Sequence, residues 1–334
     1  MVAILLTHPP DALTHYYGPK ALAALKAVGE VRYNPHDRVL TVDELIEAAQ
    51  DCAIIISDRQ TPGPAQVFAA LPGLVAFQRV AVDIRNIDVA AAGANGVLVT
   101  QASPGFVQSV AEWILGAMID CARHTTDYVA AYRAGEIPVA RMGRQLAGST
   151  LGVIGYGAIG QYLCQLAVAL RMRVIVADPY RNVFDPAITQ TDLPTLLAES
   201  DFVACLAAAT EQTECLMDTA SFARMRPSAY FINASRGNLV DEAALERALE
   251  SRQIAGAALD VGHAPDQMPS PHLARRKDVI ATPHIAGLTP PAIAHQALET
   301  ARQAAEIANG RVPRGAVNAD KAMRLGGLKQ TVKA

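Results

Sequence analysis

The stretch Leu151-Gly152-Val153-Ile154-Gly155-Tyr156-Gly157-Ala158-Ile159-Gly160 decides how this chain folds. An apolar predicted strand is followed by three glycines with the spacing G-x-G-x-x-G. A predicted helix, Gln161–Leu170, comes directly after them. Three glycines alone are also compatible with an ordinary turn. Here the strand before them and the helix after them are in register, which is the arrangement of a dinucleotide-binding βαβ unit.

Each residue of this loop has a physical task in such a unit. Gly155 allows the tight turn, Gly157 lets the backbone approach a pyrophosphate, and Gly160 lets the helix pack on the strand. At the first turn of the helix, Ala158 and Ile159 offer backbone N–H groups that attract phosphate together with the helix dipole. These five residues form the predicted cofactor-binding loop.

A carboxylate completes the pattern at the end of the next strand. Asp178 follows Gly160 by 18 residues. It can accept hydrogen bonds from the adenosine ribose hydroxyls and would repel a 2′-phosphate, which favours NAD over NADP. Arg181, three residues later, argues in the other direction. The alternative interpretation of Asp178 is a solvated aspartate behind a glycine turn.

Strands and helices alternate on both sides of this unit, which predicts an α/β fold with two doubly wound parallel-sheet domains. The strands predicted for the first domain are Val2–Thr7, Val31–Asn34, Ala53–Ser57, Val75–Val82 and Val97–Thr100. Those predicted for the second are Thr150–Gly155, Val174–Asp178, Phe202–Leu206, Ala229–Asn233, Gly256–Asp260 and Val279–Ala281. The last helix, Pro291–Asn309, lies far past the sixth strand and is expected to return to the first domain. The predicted division is residues 1–100 with 291–334 against residues 101–290.

Composition narrows the class of protein. The 334 residues are 51% hydrophobic and 18% charged, which is a globular composition. Because the net charge is only −3 and no like-charged block stands out, neither nucleic acid nor a membrane surface is an expected partner. The apolar N-terminal run is short and reads as a first strand and not as a signal peptide. Five cysteines without metal-type spacing predict reduced thiols, a cytoplasmic protein and no metal site.

One helix carries more apolar surface than a single domain edge covers. The stretch Val107–Arg123 is apolar on nearly all sides, with Glu112 and Asp120 as the charges in its middle. A helix of this kind is expected to be buried from more than one direction. The helix is compatible with an interdomain strut or a subunit interface. The irregular segment Gly135–Gln145 after it is typical of an arm or a crossover loop. We therefore expect a homodimer formed through this helix and arm.

Several motifs in one order make the sequence resemble the D-isomer-specific 2-hydroxyacid dehydrogenases, of the phosphoglycerate dehydrogenase and glyoxylate/hydroxypyruvate reductase type. Besides the glycine loop, they are Asn86-Ile87-Asp88, Ser109-Val110-Ala111-Glu112, Asn233-Ala234-Ser235-Arg236-Gly237, Ala258-Leu259-Asp260-Val261 and Thr282-Pro283-His284-Ile285-Ala286-Gly287. The resemblance covers nearly the whole chain. It implies a Rossmann NAD-binding domain inserted into a flavodoxin-like substrate-binding domain.

The resemblance also implies roles for single residues. Arg236 is expected to hold the substrate carboxylate and to polarise the reacting oxygen, since its planar fork suits that task. His284 is expected to be the general acid and base. Asp260 is the expected partner of the nicotinamide carboxamide, and Ala234 and Gly287 are further expected cofactor contacts. The alternatives without a catalytic role are a surface ion pair for Arg236 and a structural histidine at a strand end for His284.

The chain departs from the family pattern next to the histidine. The family places a glutamate five residues after the aspartate that corresponds to Asp260, where it orients the histidine and stabilises its charged form. Here that position is Pro265, and the nearest carboxylate is Asp266. We predict that the Asp266 side chain partners His284. The alternative is that Asp266 is a solvated loop residue and that water or His263 orients the imidazole.

A second departure lies in the expected substrate loop of the first domain. Where the family has a G-V-G-like turn that binds the substrate carboxylate, this chain has Ala81-Val82-Asp83, followed by Ile84 and Arg85. Asp83 would oppose a carboxylate unless it points away or pairs with Arg85. One interpretation is a substrate with extra hydroxyls or a cation. The other is a salt bridge that supports the loop.

Three functions remain open at this point. The leading one is an NAD-dependent oxidoreductase that acts on a D-2-hydroxy acid or the corresponding 2-oxo acid. The second is hydride transfer without a general acid, as in the formate dehydrogenases, which carry Gln where this chain has Pro265. The third is a non-catalytic NAD-sensing protein, which the missing glutamate favours and which the presence of both Arg236 and His284 disfavours.

Overall fold

The computed structural model describes residues 2–327 and divides into two compact units. One unit consists of the chain up to Gly105 together with the chain from Pro290 onward, and the other is Phe106–Thr289. The predicted boundaries lie within a few residues of these positions. The last residues of the predicted first domain, 328–334, lie outside the described residues.

The first unit contains a five-stranded sheet in which every strand pair is parallel. Its strands are β1 (Val2–Leu6), β2 (Gly29–Tyr33), β3 (Ile54–Ser57), β4 (Ala76–Arg79) and β5 (Leu98–Gln101). The helices are α1 (Pro10–Tyr16), α2 (Pro19–Lys26), α3 (Val42–Ala48), α4 (Ala65–Ala70), α5 (Val89–Ala94) and α13 (Pro290–Ala308). The strand order β2-β1-β3-β4-β5 is the flavodoxin-like order.

Both faces of this sheet are covered, because its strands are apolar on both sides. Along β3, for example, all four side chains are buried. The helices α2 and α13 cover one face through residues such as Leu25 and Ala301. Helices on the other face contribute Leu45 and Phe68 to a second core. The predicted return of the C-terminal helix to this unit is thus observed.

The second unit contains a seven-stranded parallel sheet. Its strands are β6 (Thr150–Ile154), β7 (Arg173–Ala177), β8 (Ile188–Gln190), β9 (Phe202–Cys205), β10 (Tyr230–Asn233), β11 (Gly256–Leu259) and β12 (Val279–Ala281). The helices are α6 (Val107–Arg123), α7 (Thr125–Arg133), α8 (Ala158–Ala169), α9 (Leu193–Glu199), α10 (Thr219–Arg224), α11 (Glu242–Glu250) and α12 (Pro271–Ala274). The order β8-β7-β6-β9-β10-β11-β12 is the Rossmann order with one added edge strand, and it reverses between β6 and β9.

Three elements are absent from the sequence prediction, and all three lack apolar periodicity. The helices α1 and α7 contain no buried residue. The edge strand β8 has only three residues, of which Ile188 is buried. Because hydrophobic periodicity is the main sequence signal of an element, exposed or very short elements escape it. The predicted second sheet therefore has six strands and the observed one has seven.

The long helix α6 is buried on one side within its own unit. Its buried residues include Ile114, Met118 and Cys121. On the opposite side Ile119 is 46% exposed. The expectation that this helix is covered from several directions is therefore not met within this unit.

The five cysteines are free thiols. Burial raises the pKa of Cys121, Cys164 and Cys205 to about 12, so these thiols are protonated near neutral pH. Across residues 2–327, no helix has the combination of length and apolarity that crossing a membrane requires. In the same part of the chain, His, Cys, Asp and Glu side chains form no group of three or more that could hold a metal ion.

Candidate active site in the second unit

The glycine loop has the backbone geometry that its sequence predicts. Gly155 has φ +97°, and a Cβ at this residue would lie 2.7 Å from the carbonyl oxygen of Leu206. A Cβ on Gly160 would lie 2.3 Å from the carbonyl oxygen of Gly155. Both positions therefore require glycine, the first for its backbone conformation and the second for the close approach of helix to loop.

Gly157 differs from these two glycines, because a Cβ there would meet nothing within 4 Å. It precedes the first residue of α8, and among the described residues no side chain caps this helix end. The N–H groups of Ala158, Ile159 and Gly160 therefore point from an uncapped N-terminus beside open space. This is an arrangement that a pyrophosphate fits.

Asp178 braces the glycine loop. Its Oδ2 accepts a hydrogen bond from the backbone N–H of Tyr156 at 2.7 Å. Its Oδ1 accepts from the N–H groups of Tyr180 at 2.8 Å and of Arg181 at 3.0 Å. Three of about four acceptor positions of this carboxylate are thus used within the protein. The binding of ribose by Asp178 stays a prediction.

A cavity of about 430 Å³ lies beside this loop in the same unit. Tyr156, Gln161, Arg181, Asn182, Phe184 and Asp185 line it. Its size is in the usual range for small-molecule sites. The glycine loop, the uncapped helix and this cavity together suit a dinucleotide.

Arg236 lies after β10 in a turn that Asn233 closes. The Asn233 amide donates to the carbonyl oxygen of Arg236 at 2.9 Å, and its Oδ1 accepts from the N–H of Ser235 at 3.1 Å. Arg236 is half-buried, and its Nη1 donates to the carbonyl oxygen of Ser235 at 2.8 Å. A Cβ on Gly237 would lie 2.2 Å from the carbonyl oxygen of Gly262. Glycine at this position lets the Arg236 turn approach the segment that follows β11.

His284 lies in a turn after β12 that Asp260 holds. Asp260 is 1% exposed. Its carboxylate accepts from the Thr282 hydroxyl at 2.6 Å and from the N–H groups of Ile285 and Ala286, each at 2.8 Å. His284 itself has φ +57°, a strained value for a residue other than glycine.

These bonds give Asp260 a contact that the family pattern does not imply. The predicted contact of Asp260 is the nicotinamide carboxamide, whereas the observed contacts are with the turn that carries His284. The Ala286 N–H and the neighbouring Gly287 belong to this same turn. Ala234, the other predicted cofactor contact, lies in the Arg236 turn. The cofactor roles of these residues stay predictions.

His284 contacts the backbone of Asp266. His284 Nδ1 lies 2.8 Å from the backbone carbonyl oxygen of Asp266. The predicted contact of the Asp266 carboxylate with His284 stays a prediction. Because a carbonyl oxygen only accepts, Nδ1 carries the hydrogen, and Nε2 remains for a substrate. Asp266 and Gln267 both have φ +58°, so three non-glycine residues with left-handed backbone meet around this contact.

The predicted substrate loop lies in the first unit. Ala81, Val82 and Asp83 are half-buried. Asp83 forms an ion pair with Arg85, with Oδ2 and Nη2 2.6 Å apart, and also accepts from the Arg85 N–H at 3.0 Å. The salt-bridge interpretation of Asp83 thus has a structural basis. Contact of this loop with a substrate stays a prediction.

A buried charged cluster in the first unit was not predicted from the sequence. Arg79, at the end of β4, is fully buried and donates to the carbonyl oxygens of Asp58 and Thr61 and to the side chain of Asn86. His8 is 3% exposed. The available signal is the position of Arg79, because a charged residue directly after an apolar strand needs buried partners.

Comparisons with known proteins agree with the geometry of the second unit. Residues 115–286 match the family model of the D-isomer specific 2-hydroxyacid dehydrogenase, NAD binding domain. A hydroxypyruvate reductase of Thermotoga maritima is 32% identical over 255 residues, which are 75% of this chain and 83% of that protein. An (S)-sulfolactate dehydrogenase of Chromohalobacter salexigens is 36% identical over 71% of this chain and 78% of its own length. Against matching D-3-phosphoglycerate dehydrogenases, at 32% to 34% identity, the chain spans only 51% to 60% of their length.

A solved structure of this family is also similar to the chain. The NAD-complexed D-isomer specific 2-hydroxyacid dehydrogenase of Lactobacillus delbrueckii ssp. bulgaricus has a TM-score of 0.80 and 25% identity. The match covers 95% of this chain and all of that chain.

Proposed function

This chain belongs to the NAD-dependent D-isomer-specific 2-hydroxyacid dehydrogenases, and we propose that Arg236 and His284 carry out its reaction on a 2-oxo or D-2-hydroxy acid. NAD, held at the glycine loop, supplies or accepts the hydride. Arg236 binds the substrate carboxylate through its planar guanidinium. The first unit, which consists of the chain up to Gly105 and from Pro290 onward, is the proposed substrate-binding domain.

The proton is handled by His284 Nε2. In reduction, Nε2–H donates to the carbonyl oxygen at C2 while the hydride arrives at C2, so that the hydroxyl forms and the imidazole becomes neutral. In oxidation, neutral Nε2 removes the hydroxyl proton. The observation that carries this proposal is the contact of Nδ1 with the Asp266 carbonyl, because it leaves Nε2 as the nitrogen available to the substrate.

The test is turnover of a panel of 2-oxo acids with NADH, followed by the absorbance of the reduced nicotinamide. We expect turnover in the wild type and a loss of about 10²- to 10⁴-fold in kcat for His284→Ala. A matched control is His272→Ala, which removes an exposed histidine of α12. Full activity of His284→Ala would contradict the role of His284. Tight NADH binding without turnover of any oxo acid would instead support the NAD-sensing alternative.

We also propose a homodimer in the cytoplasm. The arm predicted at Gly135–Gln145 exposes apolar side chains, with Ile137 89%, Val139 84% and Met142 96% exposed. Together with exposed Ile119 on α6, they form an apolar surface that a second copy of this chain would cover. The free thiols support the location. Light scattering should give twice 35.3 kDa, and Met142→Asp should shift the mass toward a monomer.

A further inference from the structure

The carbonyl oxygen that meets His284 belongs to a short loop that closes on itself. Within this loop, the Gly262 N–H donates to the Gln267 carbonyl at 2.8 Å, and the Ala264 N–H donates to the Met268 carbonyl at 3.0 Å. The left-handed backbone of Asp266 and Gln267 is costly, at roughly 1–2 kcal/mol for each residue. A loop with this backbone strain needs hydrogen bonds to residues outside itself to keep its conformation.

Glu242 provides the attachment at both ends of the loop. This residue begins α11 and is half-buried. Its Oε1 accepts from the backbone N–H of His263 at 3.1 Å, and its Oε2 accepts from the hydroxyl of Ser270 at 2.6 Å. One carboxylate thus ties the start of the loop to its end and holds both on a helix.

The fit around Glu242 is close. A Cβ on Gly262 would lie 2.9 Å from Glu242 Oε1 and 2.7 Å from the Cα of Pro269. The backbone of the loop therefore passes directly against the carboxylate. A displacement of Glu242 would be transmitted to the loop backbone rather than absorbed by empty space.

We propose that Glu242 is a positioning residue for His284, acting through the loop that presents the Asp266 carbonyl. Asp260 holds the turn that carries the imidazole, and Glu242 holds the segment that carries its acceptor. Both sides of the Nδ1–carbonyl hydrogen bond are thus fixed by a carboxylate that touches neither nitrogen. This device orients the imidazole in a chain that has proline at the position of the family glutamate. The proposal rests on the proposed function of His284.

The test combines two readouts on Glu242→Ala and Glu242→Gln. The first is the tautomer of His284, read from the ¹⁵N shifts of histidine-labelled protein with His284 assigned by a His284→Gln spectrum. We expect the Nδ1–H tautomer in the wild type and its loss in Glu242→Ala. The second readout is kcat, which should fall about fivefold to tenfold in Glu242→Ala. This is the effect expected for loss of the hydrogen bond between His284 Nδ1 and the Asp266 carbonyl, and the KM for NADH should be unchanged.

Glu242→Gln separates position from charge. A glutamine can accept from the His263 N–H and donate to the Ser270 hydroxyl, because a hydroxyl also accepts. We therefore expect wild-type tautomer and kcat in this variant. Loss of both in Glu242→Gln would show that the charge acts directly and would overturn the positioning role. Glu250→Ala, at the exposed end of the same helix, is the control.

Two further outcomes separate this proposal from the proposed function. If Glu242→Ala keeps the Nδ1–H tautomer, the positioning role is wrong, whatever the activity. If the tautomer changes but His284→Ala retains turnover, the positioning stands and the catalytic role of His284 is wrong. Should Glu242→Ala fail to fold, Ser270→Ala removes one of the two attachments alone and is expected to shift the tautomer in the same direction.

Discussion

In both units polar side chains lie at the carboxyl edge of the parallel sheet, but their burial differs. At the carboxyl edge of the first sheet, Arg79 and His8 are buried, with 0% and 3% exposure. At the carboxyl edge of the second sheet, Arg236 and His284 are half-buried. An arginine and a histidine thus occur at both edges in opposite environments.

The difference separates a buried structural arginine from the arginine that we propose to bind substrate. The guanidinium of Arg79 donates hydrogen bonds to the carbonyl oxygens of Asp58 and Thr61, which lie in the loop after β3. Asn233 closes the turn that carries Arg236, and Asp260 holds the turn that carries His284, while both residues are half-buried. Residue type and sheet edge are the same in both units. The two environments differ in how deeply these side chains are buried.

Replacing Arg79 and Arg236 in turn by methionine tests this difference between the two sheet edges most directly. Arg79→Met should lower the free energy of unfolding by about 3–5 kcal/mol, because it leaves buried partners without their donor. Arg236→Met should change that free energy by less than about 1 kcal/mol, since the side chain is half-buried, but should lower kcat/KM at least about a hundredfold. Urea unfolding and steady-state kinetics on both variants measure the two effects. A destabilised Arg236→Met with normal kinetics would reverse the comparison.

Much of the second unit is predictable, because its signals are local. The glycine loop combines a strand, a left-handed glycine and an uncapped helix within eleven residues, Thr150–Gly160. The helix Val107–Arg123 has the same bounds in sequence and structure. Apolar periodicity and turn residues are enough to place such elements.

The arrangement around His284 is not predictable in the same way. Left-handed backbone is normally marked by glycine, but here Asp266, Gln267 and His284 adopt it. Tertiary bonds to Asp260 hold the turn of His284, and bonds to Glu242 hold the loop that contains Asp266 and Gln267. For this reason the sequence does not predict the contact of the Asp266 backbone carbonyl with His284, and the contact of the Asp266 carboxylate with His284 stays a prediction.

A smaller effect tests the buried histidine of the first unit. Burial lowers the pKa of His8 to about 4, with Arg79 acting in the same direction and Asp58 against it. His8 also packs edge-on against Tyr17. Because the unfolded chain binds the proton near pH 6.5 and the folded chain near pH 4, the neutral imidazole stabilises the fold above pH 6.5, and this stability is lost as the pH falls toward 4.

The expected loss from His8 is about 3 kcal/mol between pH 7 and pH 4. The free energy of unfolding, measured across this range, should fall less steeply in His8→Gln than in the wild type. His15→Gln, which removes an exposed histidine of α1, should keep the wild-type slope. Equal slopes in the wild type and His8→Gln would show that the His8 environment is open to water and would weaken the contrast between the two edges.

The smallest expected effect concerns Arg85, whose side chain is 60% exposed in its pair with Asp83. Exposed ion pairs contribute little, so Arg85→Gln should change the free energy of unfolding by less than about 1 kcal/mol, far less than Arg79→Met. The loss of one positive charge beside the proposed substrate loop should raise the KM for an anionic 2-oxo acid about twofold at low salt. Because salt screens exposed charges, the increase should vanish near 1 M salt, whereas Arg32→Gln, far along the sheet on β2, should leave the KM unchanged at either salt concentration. A salt-independent rise in KM would mean that Arg85 shapes the loop as Arg79 does, and the first unit would then hold its edge together with exposed as well as buried arginines.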